Sequence, residues 1–257
     1  VMDSRARETG RDQGLVISAP TGFGKTACFF GYVMKQLLDS LDNPGVGAST
    51  ETNSDAAIFV YPSRALLHDQ LTKVMELFYR IKSQGGSIPN FGFWHGDQPQ
   101  NAQEAQDTSR STAARYQGAI RFTGAKYWDE SVNDRSLYIT DDETNSYVIE
   151  NHAGNELFDS SEFYIGRREI VERGPNLILT TLESLENICM KHHYDIAHLA
   201  DYFIFDEIHQ YSGLRGSHAA NIVENIKRVR HSEGSDTTSP ALFIGSSATI
   251  QDPGRFG

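Results

Sequence analysis

The sequence predicts an α/β fold in which a mostly parallel β-sheet is covered by helices on both faces. Two observations favour this fold. Short apolar segments of strand length alternate with amphipathic helical segments, and polar motifs follow directly after the apolar segments. Because ligands bind at the carboxyl ends of the strands in such sheets, we expect the polar motifs to meet at one edge.

The composition is that of a globular protein with an acidic balance. Apolar residues make up 39% of the 257 residues, charged residues make up 22%, and the net charge is −11. An acidic chain does not coat nucleic acid non-specifically, although a local basic track is compatible with it. No segment has the length and apolarity of a membrane span, and no signal peptide opens the chain. We therefore expect no membrane partner, and a location in the cytoplasm or at the nucleoid.

The two cysteines, Cys28 and Cys189, predict neither a disulfide framework nor a metal site. Both stand among apolar neighbours, so we expect buried free thiols. The histidines are scattered, and the pair His192-His193 has no cysteine or acidic cluster around it, so a surface pair is predicted rather than a zinc site.

Residues 19–26, Ala-Pro-Thr-Gly-Phe-Gly-Lys-Thr, stand between a predicted buried strand at 14–18 and a predicted apolar helix that continues through Leu41. Glycines let successive backbone N–H groups point at one anion, and the helix N-terminus adds a partial positive charge. The context favours a phosphate-binding loop over a turn that binds nothing. Lys25 is expected to reach the β- and γ-phosphates of ATP, and the Thr26 hydroxyl to hold Mg²⁺. The predicted nucleotide contacts are Pro20, Thr21, Gly22, Phe23, Gly24, Lys25 and Thr26.

Further segments continue the alternation of strands and helices. Residues 43–55 are rich in turn formers and predict a surface loop. Apolar residues at helical spacing predict helices at 65–81, 182–188 and 216–230. Strands are predicted at 56–61, 91–94, 176–179, 202–205 and 241–245.

Residues 101–171 interrupt this alternation with polar sequence and short aromatic segments at 119–122, 136–139 and 147–149. The last two segments flank a predicted hairpin connection, and a helix is predicted near 162–171. We therefore predict an insertion, either a small β-containing subdomain or a long, partly mobile loop. Residues 1–100 and 172–257 are predicted to form the two parts of one domain. Both ends have the character of interior sequence, so we expect a fragment of a longer protein.

Two adjacent carboxylates, Asp206 and Glu207, follow the strand predicted at 202–205. The first is expected to accept Mg²⁺, and the second to orient and deprotonate an attacking water. Ser247 and Thr249 follow the last strand, where their hydroxyls could hydrogen-bond the carboxylates or His209 and sense the γ-phosphate. A solvated acidic turn is the alternative, and it is disfavoured because a phosphate-binding loop needs a hydrolytic partner.

Ser63, Arg64, Thr180 and Thr181 also follow predicted strands, but they have no role in the phosphate chemistry. Hydroxyls, a guanidinium and helix N-terminal N–H groups are the groups that contact a nucleic-acid backbone without reading its sequence. We predict such contacts for these four residues. A helix cap or a turn is the alternative for each of them.

The order of these motifs resembles that of superfamily 2 helicases of the DExH type. Residues 19–26, 61–66, 180–181, 206–209 and 247–249 look like motifs I, Ia, Ib, II and III. The resemblance implies a RecA-like P-loop NTPase domain that uses ATP and Mg²⁺. It also implies a second RecA-like domain, with motifs IV to VI, elsewhere in the full-length protein. The catalytic residues that it implies are Lys25, Asp206, Glu207 and His209.

A narrower resemblance to MrfA-type repair helicases, Lhr helicases and the helicase of DISARM phage defence depends on residues 61–70, 96–99, 206–218 and 247–253. It implies that DNA is favoured over RNA and that translocation runs 3′ to 5′. Gln98 departs from the pattern, because those relatives usually have Thr there. An arginine finger contributes a factor of about 10³–10⁵ in rate, so we expect this domain alone to hydrolyse ATP slowly or not at all.

Three alternatives stay open. The chain could be the helicase subunit of a CRISPR or restriction system, which only its genomic neighbours would reveal. It could be a P-loop switch or transport ATPase, although residues 206–209 and 247–249 disfavour this class. It could also be a binding module with a vestigial ATPase, in which the insertion is the functional surface.

Overall fold

The computed structural model describes residues 12–18, 25–42, 55–96, 98, 120–141, 147–190, 200–231 and 240–248. Contacts between Cα positions divide the chain into two compact units. The first unit consists of Val1–Arg64 and Asn176–Gly257, and the second is Ala65–Pro175. The loop predicted at 43–55 lies outside the described residues except for Asp55.

Strands and helices alternate through most of the described chain, and none of the described helices has the length and apolarity needed to cross a bilayer. In chain order the elements are β1 (Gln13–Ser18), α1 (Lys25–Asp42), β2 (Ala57–Tyr61), α2 (Arg64–Ser83), β3 (Phe91–Trp94), β4 (Ile120–Phe122), β5 (Leu137–Asp141), β6 (Tyr147–Asn151), β7 (Glu156–Asp159), β8 (Phe163–Tyr164), α3 (Arg167–Arg173), β9 (Leu177–Thr181), α4 (Leu182–Met190), β10 (Tyr202–Phe205), a 3₁₀ turn (Ile208–Gln210), α5 (Leu214–Arg230) and β11 (Leu242–Ser247).

The first unit contains five parallel strands in the order β1-β11-β10-β2-β9. All residues of β2, β9 and β10 are buried, as expected for near-continuous apolar strands inside a parallel sheet. The expectation that β1 is buried is wrong, since its residues are half-buried or exposed. The reason is its place at the edge, where β11 is its neighbour on one side only among the described strands.

Helix α1 buries one stripe made of Phe29, Val33, Met34 and Leu37. Cys28 lies beside this stripe and is exposed, so the expectation of a buried thiol is wrong for this residue. Apolar neighbours in sequence do not bury a helical residue, because each position is rotated by about 100° from the one before it. The side chain of Cys189 lies outside the described part of the structure.

The second unit contains α2, the parallel pair β3–β8 and an antiparallel sheet in the order β4-β5-β6-β7. The aromatic segments at 119–122, 136–139 and 147–149 overlap strands β4, β5 and β6, and β5 and β6 pair as the predicted antiparallel hairpin. The helix predicted near 162–171 begins only at Arg167, because Phe163 and Tyr164 pair with β3. The predicted α/β fold with a mostly parallel sheet and a β-containing segment is confirmed.

A cluster of phenylalanines forms the core of the second unit. The ring centroid of Phe91 in β3 lies 4.7 Å from that of Phe163, 4.9 Å from that of Phe78 and 5.3 Å from that of Phe158. Helix α2, strand β3 and the β-rich segment therefore share one core, and the compact unit is wider than residues 101–171. The boundaries of the insertion stay a prediction.

Candidate functional site

The register of the parallel strands brings two polar residues together at the carboxyl edge of the first unit's sheet. Phe205, the last residue of β10, lies opposite Gly245 of β11 and Val60 of β2. One position further along, Asp206 and Ser246 therefore lie side by side. This is the edge where α/β sheets bind ligands.

Asp206 is a buried carboxylate whose position is fixed by three hydrogen bonds. Ser246 Oγ donates to its Oδ1, the backbone N–H of Glu207 donates to the same oxygen at 3.0 Å, and its own N–H donates to Val60 O at 3.0 Å. Sequence reasoning singled out Ser247 and Thr249 but missed Ser246. The doubled serine was visible in the sequence, but only the pairing of β10 with β11 shows which of the two faces Asp206.

Glu207 is the only non-glycine residue with positive φ in the described part of the chain (φ 50°, ψ 48°). A left-handed conformation of this kind costs about 1–3 kcal/mol and clusters at functional sites. Glu207 directly precedes the 3₁₀ turn, and its Oε2 lies 3.1 Å from His209 Nδ1. This contact lacks hydrogen-bond geometry, so Oε2 is buried without a hydrogen bond to any described residue. A buried carboxylate oxygen in this state requires a further donor, such as a bound water.

The turn that carries Glu207 and His209 packs against β11. Ser247 Oγ lies 3.3 Å from His209 Nδ1. Of the two expected partners of this hydroxyl, the carboxylates and His209, the structure thus shows His209. Gly245 makes room for the same turn, since a Cβ there would lie 3.0 Å from Ile208 Cδ1. Thr249, the other predicted coupling residue, lies outside the described residues.

The strand and the helix that flank the predicted phosphate-binding loop are both present. Strand β1 ends at Ser18 and α1 begins at Lys25, and Ser18 pairs with Ser247 of β11. Thr26 is half-buried in the first turn of α1. The Lys25 side chain lies outside the described part of the structure, and so do Pro20, Thr21, Gly22, Phe23 and Gly24.

The four predicted nucleic-acid contacts fall into two groups. Ser63 and Arg64 are exposed, Ser63 directly before α2 and Arg64 as its first residue. Thr180 and Thr181 are buried, and Thr181 Oγ1 accepts a hydrogen bond from the backbone N–H of Ser184 at 3.4 Å. The observed contact of Thr181 is thus that of a helix cap on α4. A role of these residues in nucleic-acid binding stays a prediction.

Gln98, the departure from the narrower resemblance, has a structural role in the second unit. Its side chain is buried, and its Nε2 donates to Ile165 O at 2.7 Å. Its Oε1 accepts a hydrogen bond from the backbone N–H of His95 at 3.3 Å. The amide therefore links the residues that follow β3 to those that follow β8.

A comparison with known families decides what this arrangement belongs to. The family model of the DEAD/DEAH box helicases matches residues 5–143 and 142–255. The chain belongs to the DEAD/DEAH box helicase family. This confirms the family inferred from the order of the motifs.

Two curated relatives resemble this helicase domain. It is 33% identical over 93 residues to the uncharacterized ATP-dependent helicase YprA of Bacillus subtilis (strain 168), a match that covers 35% of this chain and 12% of the relative. It is 22% identical over 254 residues to the Druantia protein DruE of Escherichia coli (strain UMEA 4076-1), covering 82% of this chain and 14% of the relative. The helicase domain therefore corresponds to a small part of each relative.

Solved helicase structures share its fold. DUF1998 helicase MrfA bound to DNA and AMPPNP matches with a TM-score of 0.54 at 20% identity, covering 100% of this chain and 25% of that chain. Mycobacterium smegmatis helicase Lhr bound to ssDNA and AMP-PNP matches with a TM-score of 0.54 at 19% identity, covering 98% of this chain and 22% of that chain. These likenesses confirm the RecA-like fold. The further resemblance to the DISARM helicase stays a prediction.

Proposed function

We propose that this helicase domain is the ATP-binding part of an ATP-dependent translocase that acts on DNA. One observation carries the proposal: Ser246 and the Glu207 N–H fix the buried Asp206 carboxylate, while Glu207 beside it has a buried oxygen to which no described residue donates a hydrogen bond. One carboxylate is thus held rigidly, and its neighbour is available to a small polar molecule.

The donor set fits ATP with Mg²⁺. The Asp206 carboxylate and the Thr26 hydroxyl are the hard oxygen ligands that Mg²⁺ prefers. In the described part of the chain, no group of three or more His, Cys, Asp and Glu side chains could hold a metal alone. A site with so few protein ligands is expected when substrate phosphates complete the coordination of Mg²⁺. When bound, ATP supplies the phosphoryl group to be transferred, and Mg²⁺ neutralises its charge.

The residues of the chain divide the remaining work. Glu207 Oε2 accepts a hydrogen bond from the attacking water and takes its proton. His209 lies next to that oxygen and Ser247 lies next to His209, so the two residues register whether Glu207 carries the proton. Lys25 and the loop before it hold the phosphates at the N-terminus of α1.

DNA is the proposed substrate, because the MrfA and Lhr structures of the same fold were determined bound to DNA and to ssDNA. Ser63 and Arg64 are exposed and have the chemistry for phosphate contacts. The rest of the full-length protein would supply a second RecA-like domain with an arginine finger. We place the protein in the cytoplasm or at the nucleoid, in DNA repair or in phage defence.

ATPase activity of the full-length protein with single-stranded DNA, duplex DNA and RNA tests the proposal. We expect single-stranded DNA to stimulate ATP hydrolysis most strongly. Stimulation by RNA alone would contradict the choice of DNA. Hydrolysis indifferent to both nucleic acids would instead favour a P-loop ATPase of another class.

Two variants with matched controls test the site itself. Lys25→Ala should abolish ATP binding, whereas Lys35→Ala in the same helix removes an exposed lysine that pairs with Asp39 and should not. Glu207→Gln should bind ATP without hydrolysing it, whereas Glu224→Gln on α5 changes an exposed residue paired with Lys227 and should hydrolyse normally. DNA-stimulated hydrolysis by the Glu207→Gln protein would overturn the mechanism.

A further inference from the structure

Arg215, to which the mechanism assigns no role, joins three segments of the first unit. Its Nη2 donates to Pro62 O at 3.0 Å and to Glu183 Oε1 at 2.8 Å. Pro62 directly precedes Ser63 and Arg64, and Glu183 lies in the first turn of α4, directly after Thr181 and Leu182. One guanidinium therefore contacts both of the segments for which nucleic-acid contacts are predicted.

The backbone between Asp206 and Arg215 is tightly folded. Tyr211 is buried, and its N–H donates to Ile208 O at 2.9 Å. Gly213 has a φ of 58°, and a Cβ on Gly216 would lie 2.6 Å from Tyr211 O. A side chain at either glycine position would disturb this path, so the position of Arg215 is coupled to that of Asp206 through a short, constrained segment.

Tyr211 lies inside this network. Burial raises the pKa of its hydroxyl, with the charges of Glu183 and Asp206 acting in the same direction and that of Arg215 acting against them. The hydroxyl oxygen is buried without a hydrogen bond to any described residue. The buried phenol is thus within electrostatic range of both the Asp206 carboxylate and the Arg215–Glu183 pair.

The Arg215–Glu183 pair is too exposed to be a major source of stability. The side chains of Arg215 and Glu183 are 44% and 56% exposed, and exposed ion pairs contribute little to folding. A guanidinium can, however, hold a carbonyl and a carboxylate at once in a fixed geometry, which an ammonium group on a flexible stem does less well. We therefore expect Arg215 to fix the positions of its two partners rather than to stabilise the fold.

A second contact between the same helices provides a comparison. His218 Nε2 lies 3.0 Å from Glu186 Oε2, three residues further along both α5 and α4. This pair joins the helices as Arg215 and Glu183 do. Among the described contacts, it does not reach the segment that begins at Pro62.

We propose that Arg215 is a positioning residue that couples the ATP site to DNA binding, by holding the Pro62 segment and the start of α4 in register with Asp206. The proposal rests on the proposed function. It makes the affinity for DNA depend on a residue that is outside the motifs assigned to DNA contact.

The test uses the full-length protein. It compares three variants, Arg215→Lys, Glu183→Gln and the double variant that carries both changes, and His218→Gln is the control. Affinity for a fluorescent single-stranded oligonucleotide is measured by anisotropy with AMPPNP present, and the KM for ATP is measured in parallel. We expect Arg215→Lys to raise the Kd for DNA about 5- to 20-fold. In Arg215→Lys, the fold increase in the Kd for DNA should be at least five times the fold increase in the KM for ATP. The double variant should lose less affinity for DNA than the product of the two single-variant losses.

His218→Gln should leave the Kd for DNA within about twofold of the wild-type value, the spread expected for a surface substitution away from the site. An equal loss in His218→Gln would show that general contact between α4 and α5 matters, and it would overturn the role of Arg215. So would a folded Arg215→Lys protein that binds DNA like the wild type. A wild-type protein that hydrolyses ATP but binds no DNA would refute the proposed function. The proposed coupling role of Arg215 would then be refuted as well.

Discussion

Ser247 Oγ lies 3.3 Å from His209 Nδ1. The same nitrogen is 3.1 Å from Glu207 Oε2, so a hydroxyl at the end of β11 and the carboxylate proposed as the base both lie beside one imidazole nitrogen. Ser246, the preceding residue, contacts the other carboxylate of the pair. Of these two neighbouring serines, Ser246 contacts the Asp206 carboxylate and Ser247 contacts the imidazole beside Glu207, so their substitutions should have different effects.

Ser247→Ala should weaken the coupling between ATP hydrolysis and strand displacement, because it removes the hydroxyl beside His209. In the full-length protein we expect the number of base pairs unwound per ATP hydrolysed to fall about 5- to 10-fold, the effect of one lost hydrogen bond. Helicase and ATPase assays on the same preparation measure this ratio. An unchanged ratio would show that the Ser247–His209 contact has no part in coupling.

Ser246→Ala should act on hydrolysis itself. The hydroxyl bonds a buried carboxylate, and a hydrogen bond to a charged group is worth about 1.5–3 kcal/mol. We expect kcat for ATP to fall about 10- to 100-fold and the Mg²⁺ concentration for half-maximal activity to rise. Ser40→Ala is the control, since Ser40 Oγ only donates to Leu37 O within α1 in the described contacts. Normal Mg²⁺ dependence in Ser246→Ala would argue against Asp206 as the metal ligand.

Gly216→Ala should destabilise the start of α5, because the added Cβ would meet the Tyr211 carbonyl oxygen at 2.6 Å. Backbone atoms cannot rotate away, so we expect a loss of about 1–3 kcal/mol in the free energy of unfolding. Gly31→Ala in α1 is the matched control, since its Cβ would meet nothing within 4 Å. Alanine is the better helix former, so Gly31→Ala should be neutral or stabilising. Equal stability of the two variants in urea unfolding would contradict this account.

Tyr147→Phe should destabilise the second unit. The Tyr147 hydroxyl accepts a hydrogen bond from the Ile165 N–H at 3.1 Å, and two acceptors lie within reach of its proton, Phe163 O at 2.7 Å and Glu169 Oε2 at 2.9 Å. Removing it takes away a hydrogen-bond partner of the buried Ile165 N–H and of one of these two acceptors, at a cost of about 1–3 kcal/mol. Both tryptophans, Trp94 and Trp128, belong to this unit, so their fluorescence in urea reports its unfolding.

Tyr138→Phe is the control for this substitution, because the Tyr138 hydroxyl is 3.5 Å from Asp134 Oδ2 and makes the weaker contact. A loss as large in Tyr138→Phe as in Tyr147→Phe would show that the buried hydrogen bonds of Tyr147 are not the cause.

The stability of the second unit should also depend on Tyr147 in alkali. Burial, assisted by the charge of Glu169, raises the pKa of Tyr147 above its ordinary value. An unfolded tyrosine loses its proton near pH 10, whereas the buried one keeps it. The unfolded state therefore binds fewer protons above about pH 10, and the wild-type free energy of unfolding falls as pH rises. The phenylalanine variant lacks this slope, so the difference between the two proteins should narrow from pH 9 to 11.

Local patterns predicted much of this protein. The buried strands β2, β3 and β10 were recognisable as apolar runs, and Asp206-Glu207 as polar residues at the end of one of them. The short strands β7 and β8 were missed, because four and two residues are too few for a periodic pattern. Cys28 was misjudged for a related reason, since composition alone does not show which side of a helix faces the core.

The sequence by itself determined the strand β1 and the helix α1, the carboxylates after β10 and the family, because each of the patterns behind them consists of residues that are close together in the chain. Only the tertiary structure decided that Ser246 rather than Ser247 bonds Asp206, that β1 lies at an edge, and that Arg215 reaches both Pro62 and Glu183. These facts depend on which distant segments become neighbours and in what register. Packing of the whole sheet sets that register, and a shift of one residue would exchange the two serines.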